Sequence, residues 1–271
     1  MYAYVRRNKT DAADAAALIE AARCSEIHCV PVKPVDQQQI QQLHRLRAQW
    51  VTTRTARINF LRGALREFGI YVPLGAIRGV LAVREALKTD NGLPDALRPW
   101  MLEVLQEIAG LERHIKDIEY QLEELVREDT VMWNLEKIPG IGLLSATALR
   151  AAISDVHRFP TGRHLASWLG LTARESSSGE RRRLGRISKR GDTYLRTLLI
   201  HGARSVLISA QRTAKAGLPR DRLRTWALQT QARCGHNKAT VALANNLARI
   251  VWATWYHDRR FDANWTPVAK H

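Results

Sequence analysis

The strongest constraint on the fold is an amphipathic pattern in residues 103–129. Apolar side chains recur there at intervals of three and four, which places them on one stripe of an α-helix or of a coiled-coil strand. The other faces carry 9 acidic and 3 basic side chains, so we expect them to lie in water. The stripe consists of Ile108, Leu111, Ile115, Ile118, Leu122 and Leu125.

A second long helix is predicted from about Asp36 to Phe68. The Gly- and Pro-containing segments that follow it are typical of a connection, and Val80–Leu87 is long enough for a short helix. We predict that the two long helices pair as an antiparallel hairpin over residues 36–130. In the alternative, they pack in a bundle whose only role is stability. The apolar stripes of the second helix are Leu43, Leu46 and Trp50, followed by Ile58, Leu61, Leu65 and Phe68.

The regions on either side of this helical pair differ from it. Residues 1–35 predict a small β-α-β fragment, with strands at Tyr2–Arg7 and Ile27–Val32 and a helix that runs from its N-cap Thr10 to Ala22. This fragment is too short to fold alone, since a free-standing core rarely forms below about 40 residues. Residues 131–271 predict several shorter helices, and hence a second domain. The predicted fold class is therefore mostly α.

The charge balance indicates a polyanionic partner. The chain has 42 Lys and Arg against 26 Asp and Glu, a formal net charge of +16. Nucleic acid is the first partner to expect for such a basic protein. Three cysteines without a Cys-x-x-Cys pair argue against a disulfide framework and a four-cysteine zinc site. Because the sequence has neither a signal-peptide pattern nor an apolar run long enough to span a membrane, we predict a cytoplasmic protein without a membrane partner.

The first candidate phosphate-binding motif is Ile138–Gly142, with the sequence IPGIG. It precedes a helical pattern and has the form of the hairpin in helix-hairpin-helix DNA-binding units. Its glycines permit close approach of a phosphate, and the N–H groups at the start of the next helix are available to bind it. We therefore predict nucleic-acid contacts at Pro139, Gly140 and Gly142. The alternative is a tight turn that only joins two helices.

The second candidate motif is Ser176–Gly191, in which six of the ten residues 181–190 are basic. Such a block neutralises several phosphates, while small neighbouring residues leave a hydroxyl free to approach one of them. The alternative is a solvated loop or a general nucleic-acid patch without a nucleophile. The basic residues are Arg181, Arg182, Arg183, Arg186, Lys189 and Arg190, and Arg196 is a further candidate for the same cationic group.

Asp11 and Asp14 are candidate metal ligands. They lie three residues apart on the first predicted helix and so project from one face. Two such carboxylates suit Mg²⁺, although a phosphoryl-transfer site usually has more oxygen ligands. The alternative is that they only complement the dipole at the helix N-terminus. Cys24, His28 and Cys29 lack a fourth ligand, so we predict no zinc site there.

The order of these motifs resembles that of bacterial insertion-sequence transposases of the IS one-ten superfamily, over essentially the whole chain. The resemblance begins with NKTDAAD at residues 8–14 and VPVK at 30–33, and continues through the Gln-rich start of the long helix and IPGIG. Its remaining segments are RFPTGRHLASWLGLT at 158–172, SSSGERRRLGRISKRGDTYLRTLLIHGA at 176–203 and GHNKATVALANNLARIVWATW at 235–255.

This resemblance implies a DNA recombinase with three parts. Residues 1–35 would be a remnant of an N-terminal RuvC-like domain of ribonuclease H-like fold, residues 36–130 a coiled-coil hairpin and residues 131–271 a helical transposase domain. The last domain would carry a serine that attacks a DNA phosphodiester and becomes joined to it. Ser178 is the best match for this nucleophile, with Ser177 and Ser176 as alternatives. A guide, or bridge, RNA and action at the nucleoid are also implied.

The resemblance further implies an Asp-Glu-Asp-Asp site for Mg²⁺, whose last two acids match Asp11 and Asp14. The first Asp and the Glu belong to strands before this helix, and none of the ten residues ahead of Asp11 is acidic. We therefore expect a start codon assigned too late, a decayed and truncated copy, or a metal site that another chain completes. Strand transfer by residues 1–271 is expected to be weak or undetectable.

Two other function classes remain open. A non-catalytic nucleic-acid-binding protein would use the IPGIG turn and the basic block for phosphate contacts, and would form no covalent adduct with DNA. A coiled-coil assembly factor would oligomerise through the 103–129 helix without nucleic acid. For the recombinase we also expect a homo-oligomer, because joining two DNA partners requires more than one active serine.

Overall fold

The computed structural model describes residues 10–25, 31–179, 181 and 183–263, and most of them are helical. The prediction of a mostly α fold is therefore confirmed. Short 3₁₀ turns occur at Asp95–Leu97 and Val156–Arg158. The helices are α1 (Asp11–Arg23), α2 (Val35–Glu67), α3 (Ala76–Ala86), α4 (Arg98–Glu128), α5 (Thr130–Glu136), α6 (Leu143–Ala152), α7 (Gly162–Trp168), α8 (Thr193–Lys215), α9 (Arg222–Cys234) and α10 (His236–Tyr256); the strands are β1 (Ala173–Glu175) and β2 (Leu184–Ile187).

The chain forms two compact units, residues 1–35 and residues 36–271. The first unit contains α1, which begins and ends within one residue of its prediction. Thr10 caps this helix, because its hydroxyl oxygen accepts a hydrogen bond from the Ala13 N–H at 3.2 Å. The predicted strand Tyr2–Arg7 and most of Ile27–Val32 lie outside the described residues.

In the second unit, α2 and α4 run in opposite directions. Arg47 Nη2 lies 2.6 Å from Glu119 Oε1, and Arg57 Nε lies 2.6 Å from Glu107 Oε2. Residue numbers thus rise along α2 as they fall along α4. The supercoiling expected of a coiled coil stays a prediction. The predicted short helix is confirmed as α3, which begins four residues earlier than expected.

The buried faces of these helices match the predicted stripes only in part. Four of the six stripe positions in α4 are buried, namely Ile108, Ile115, Ile118 and Leu122. The first half of α2 is different, since Leu46 is 47% exposed while Gln37 and His44 are buried. The Ser154 hydroxyl donates to Gln37 Oε1 at 2.9 Å, which satisfies the buried amide. Two polar side chains therefore occupy core positions that an apolar pattern does not reveal.

Helices α5–α10 surround the largest apolar core of the protein. Leu247 of α10 and Leu207 of α8 are fully buried in it, and burial of one leucine side chain contributes about 1.5–3 kcal/mol. A further cluster, which includes Leu122, Met132 and Ala151, joins α4, α5 and α6. The predicted boundary between residues 130 and 131 stays a prediction. None of the described helices is long and apolar enough to cross a membrane.

Strands β1 and β2 pair as an antiparallel hairpin between α7 and α8. Ala173 lies opposite Ile187 and Glu175 opposite Leu184, with an irregular register between the two pairs. Both strands are exposed almost throughout. This hairpin carries the predicted nucleophile and most of the predicted basic block.

Candidate nucleic-acid interface and serine hairpin

The tip of the hairpin holds Ser178. The backbone N–H of Ser178 donates to the Arg181 carbonyl, and the Arg181 N–H donates to the Ser178 carbonyl, each at 3.3 Å. Gly179, which follows Ser178, has a φ of +56°, a conformation that other residues adopt only with strain. The turn therefore presents Ser178 at an exposed end of the hairpin, where a large substrate has access.

Side-chain hydrogen bonds distinguish Ser177 from Ser178. The Ser177 hydroxyl donates to Glu175 Oε1 at 2.7 Å, and its oxygen accepts from the Arg183 N–H at 3.1 Å. The Ser178 hydroxyl has no hydrogen-bond partner among the described residues. Ser177 is therefore engaged within the hairpin, whereas no described residue engages the Ser178 hydroxyl. This difference favours Ser178 over Ser177 as the hydroxyl that a substrate can approach.

The basic block forms an exposed cationic surface that extends along the hairpin from its tip to its base. Of its six residues, Arg182 lies outside the described residues. The other five are exposed, and none forms an ion pair with a carboxylate among the residues described. Exposed cations of this kind attract a polyanion. The five are Arg181, Arg183, Arg186, Lys189 and Arg190.

Arg196 does not join that surface, so the expectation that it adds to the cationic group is wrong. Its side chain is buried, and Nη1 donates to the carbonyls of Leu169 and Arg190 at 3.3 and 3.2 Å. A buried guanidinium needs such acceptors, because unpaired it would lose its hydration without compensation. Arg196 therefore ties the base of the hairpin to the end of α7.

Two glycines at the same base allow backbone segments to touch. A Cβ added at Gly170 would lie 2.0 Å from the Arg190 carbonyl oxygen, and one added at Gly191 would lie 1.9 Å from the Trp168 carbonyl oxygen. Both glycines also have positive φ angles. Sequence reasoning missed this contact, and the only local signals for it were the glycines themselves.

The IPGIG turn joins α5 to α6 as predicted, but its glycines have different roles. A Cβ at Gly140 would lie 2.8 Å from Val206 Cγ2 and 2.9 Å from the Gly202 carbonyl oxygen, so packing against α8 explains this glycine. Gly142 is exposed, has open space beside it and directly precedes the first turn of α6. Pro139 is half-buried. An anion is therefore more accessible at Gly142 than at Gly140.

Asp11 and Asp14 occupy the first turn of α1, in the other unit of the chain. Asp11 is exposed and Asp14 is half-buried. Their oxygens suit a hard cation such as Mg²⁺. The described residues contain no group of three or more side chains that could hold a metal ion. Two carboxylates are thus ligands of the right kind but too few for a complete site.

A buried hydrogen-bonded group, which the sequence did not reveal, lies between α2, α6 and α8. The Thr147 hydroxyl donates to the Leu143 carbonyl at 2.7 Å, so its oxygen accepts from His44 Nε2–H at 2.9 Å. His44 Nδ1 then accepts from the Tyr194 hydroxyl at 3.0 Å. Burial, together with the positive charge of Arg47, lowers the pKa of His44 from 6.5 to about 4. His44 is therefore neutral in the fold at pH 7.

This group predicts an acid-sensitive contribution to stability. Between about pH 6.5 and pH 4 the unfolded chain binds a proton at His44 that the folded chain does not. The free energy of unfolding should therefore fall as pH decreases through this window, by about 3 kcal/mol in total. Denaturant titrations of the wild type and of His44→Gln, run across the window, isolate the effect because their carboxylates are the same. Parallel pH profiles of the two proteins would contradict it.

Two family models match the chain. The model described as "Transposase IS116/IS110/IS902 family" matches residues 132–218, which include the IPGIG turn and the serine hairpin. A DEDD-type IS110 model, described as "Transposase", matches residues 1–70, which include Asp11 and Asp14.

Curated relatives extend the similarity over most of the chain. A "Probable family 20 transposase" of Pseudomonas aeruginosa is 42% identical over 253 residues, which cover 92% of this chain and 73% of that protein. The "Transposase for insertion sequence element IS1111A" of Coxiella burnetii is 36% identical, over 92% of this chain and 67% of that protein. The "Transposase for insertion sequence element IS1328" of Yersinia enterocolitica is 34% identical, over 92% of this chain and 72% of that protein.

Proposed function

The chain belongs to the IS116/IS110/IS902 family of transposases, and from this premise we propose that it moves an insertion sequence by cutting and joining DNA. The single observation that carries the mechanism is the exposed hairpin tip, where Ser178, whose hydroxyl has no partner among the described residues, lies close in the chain to the exposed Arg181 and Arg183. DNA is the substrate that both the family and the charge of this surface favour.

In the proposed reaction, Ser178 Oγ attacks a DNA phosphorus atom. A bond forms between phosphorus and the serine oxygen, and one bond between phosphorus and a sugar oxygen breaks. The departing sugar oxygen gains a proton in place of the one that the serine hydroxyl loses, so the DNA strand leaves as an alcohol. Since a serine hydroxyl is a weak nucleophile at pH 7, the step depends on groups that stabilise charge on the phosphate oxygens. Arg181 and Arg183, which flank the tip, are suited to this role.

Asp11 and Asp14 are proposed as ligands of a Mg²⁺ ion, for which their oxygens are suitable donors. When bound, the ion would stabilise negative charge on phosphate oxygens. Because these two carboxylates do not fill a coordination sphere, we propose that further ligands come from outside the described residues. The yield of strand transfer by residues 1–271 is for this reason expected to be low.

The proposal extends to partners that the family resemblance implies. An element-encoded guide RNA would select the DNA, and a homo-oligomer would supply more than one serine for the two DNA partners. The reaction would take place in the cytoplasm, at the nucleoid. The exposed cations of the hairpin would bind the backbone of either nucleic acid, since phosphate contacts carry no sequence information.

Covalent capture tests the proposed function. The purified protein is incubated with Mg²⁺ and radiolabelled DNA from the flanks of its own gene, and the products are separated under denaturing conditions. We expect a small fraction of the label to migrate with the protein, and to disappear when EDTA is added. The sensitivity of a radiolabel is needed because the expected yield is low.

The same experiment distinguishes the second candidate function, a non-catalytic nucleic-acid-binding protein. The unpaired cations of the hairpin favour this candidate as much as they favour the transposase. It predicts a complex that forms under native conditions, weakens steeply with salt and leaves no denaturant-resistant adduct. That outcome, at a sensitivity that detects rare adducts, would contradict the serine mechanism.

A further inference from the structure

Helix α8 carries another basic surface, separate from that of the hairpin, on the side opposite its buried residues. At 100° per residue, six positions of α8 fall within about one third of its circumference. Five of the six are exposed, and Arg204 is half-buried. Most of them line a shallow groove of about 480 Å³. We call this set the α8 basic face; its residues are His201, Arg204, Ser205, Ile208, Arg212 and Lys215.

Basic side chains dominate the part of the chain that carries this face. From residue 193 to residue 256 the chain has ten basic side chains and a single acidic one, Asp221. Asp221 forms an ion pair with Arg224. Arg204 and Arg212 form no ion pair with any described residue. A row of unpaired cations with hydroxyl donors between them attracts a polyanion and offers hydrogen bonds to its oxygens.

The helix that carries the α8 basic face also contacts the IPGIG turn. Gly202, next to His201 on α8, approaches Gly140 so closely that a Cβ at Gly202 would lie 1.8 Å from the Gly140 carbonyl oxygen. The accessible helix start after Gly142 and the α8 basic face are thus parts of neighbouring elements in direct contact.

We propose that the α8 basic face binds the phosphate backbone of duplex DNA, as a contact additional to the serine hairpin. The inference rests on the proposed function, because it assumes a DNA substrate. Apart from the imidazole of His201, the groove lacks the aromatic rings on which unpaired bases stack, so it suits a duplex rather than a single strand. A row of cations held on one helix also suits a stiff double helix, whose backbone keeps its phosphates in fixed positions.

Salt-dependent binding tests this inference. Fluorescence anisotropy would follow a labelled DNA duplex of about three helical turns, titrated with the complete chain at several salt concentrations. The Arg204→Gln/Arg212→Gln variant is expected to bind at least about tenfold more weakly at about 100 mM salt. The salt slope, meaning the slope of the logarithm of the binding constant against the logarithm of the salt concentration, should become less steep by about 1.8, because each lost phosphate contact removes about 0.9. Arg204→Lys/Arg212→Lys should keep the wild-type slope, since lysine also neutralises a phosphate.

The matched control is Arg84→Gln/Arg113→Gln. It removes the same charge from exposed positions on α3 and α4, and its slope should equal that of the wild type. If the α8 double variant does not retain its helical circular dichroism, Arg212→Gln alone should lower the slope by about 0.9, since Arg212 is exposed.

A second variant separates failure of this inference from failure of the proposed function. If Arg181→Gln/Arg183→Gln weakens binding while the α8 variant keeps the wild-type slope, the α8 basic face is not a DNA contact, but the proposed function stands. If the wild type itself shows no salt-dependent binding of DNA, the proposed function fails as well. If the Arg204→Gln/Arg212→Gln substitutions weaken binding of an RNA duplex of the same sequence more than binding of the DNA duplex, DNA is not the partner of this face.

Discussion

Gly202→Ala is expected to destabilise the helical core around α8 by roughly 3 kcal/mol or more. The added methyl carbon would lie 1.8 Å from the Gly140 carbonyl oxygen, and the obstacle is backbone rather than the end of a flexible side chain. The α5–α6 turn and α8 would have to move apart, and the fully buried Ile138 and Ile141 beside the turn would lose packing. In thermal unfolding followed by circular dichroism, the midpoint should fall by about 6–12 °C.

Gly63→Ala is the matched control, since Gly63 also lies within a long helix. Nothing lies within 4 Å of a Cβ placed there, so only the intrinsic preference of alanine for helices remains. The free energy of unfolding of this variant should rise by about 0.5–1 kcal/mol, which is opposite in sign to the change expected for Gly202→Ala. Equal unfolding midpoints for Gly202→Ala and the wild type would show that the close approach of Gly202 to Gly140 does not exist in solution.

The sequence predicted the helices of this protein better than it predicted the residues that fill their core. The bounds of α1 and α2 follow within one residue from a capping threonine and from the helical period. His44 was missed, because a stripe defined by apolar side chains omits a buried polar one. The contact of His44 with Thr147 and Tyr194 spans more than 100 residues and leaves no local signal.

The serine hairpin was also missed as a structure, although its residues were selected as a site. Strands β1 and β2 are three and four residues long and exposed, so they lack the alternation of apolar and polar side chains that identifies a strand. Backbone hydrogen bonds and two glycine contacts hold the hairpin instead. The sequence offered Ser178 as the best match for the nucleophile, with Ser177 and Ser176 as alternatives, and the hydrogen bonds of Ser177 now distinguish it from Ser178.

Gly140 illustrates how one residue type supports two interpretations. A glycine in a Pro-Gly turn before a helix predicts close approach of either a phosphate or another backbone segment. The partner, Gly202, is 62 positions away in the chain, and an isolated glycine within a helical pattern was the only sign of it. Only Gly142 keeps the open surroundings that the phosphate interpretation requires.

Ser178→Ala is expected to abolish strand transfer, a loss of at least about 10³-fold, because it removes the atom that forms the bond to phosphorus. The Ser178 hydroxyl has no partner among the described residues, so its removal breaks none of the hydrogen bonds that hold the hairpin. Binding of DNA and the unfolding midpoint should therefore remain those of the wild type. Amplification of new DNA junctions, in cells that carry the flanking DNA on a donor plasmid, detects even the weak transfer expected here.

Ser177 is the competing nucleophile. The Glu175 carboxylate accepts a hydrogen bond from its hydroxyl, and a general base occupies the same position relative to a serine that it activates. If the Glu175 contact is structural, Ser177→Ala loses two hydrogen bonds and loosens the hairpin, which should reduce junction formation by about tenfold or less. Ser176→Ala should have a smaller effect, because only its backbone N–H, to the Arg183 carbonyl, bonds within the hairpin. Junctions that persist in Ser178→Ala but vanish in Ser177→Ala would transfer the nucleophilic role to Ser177, and would make Glu175 its base.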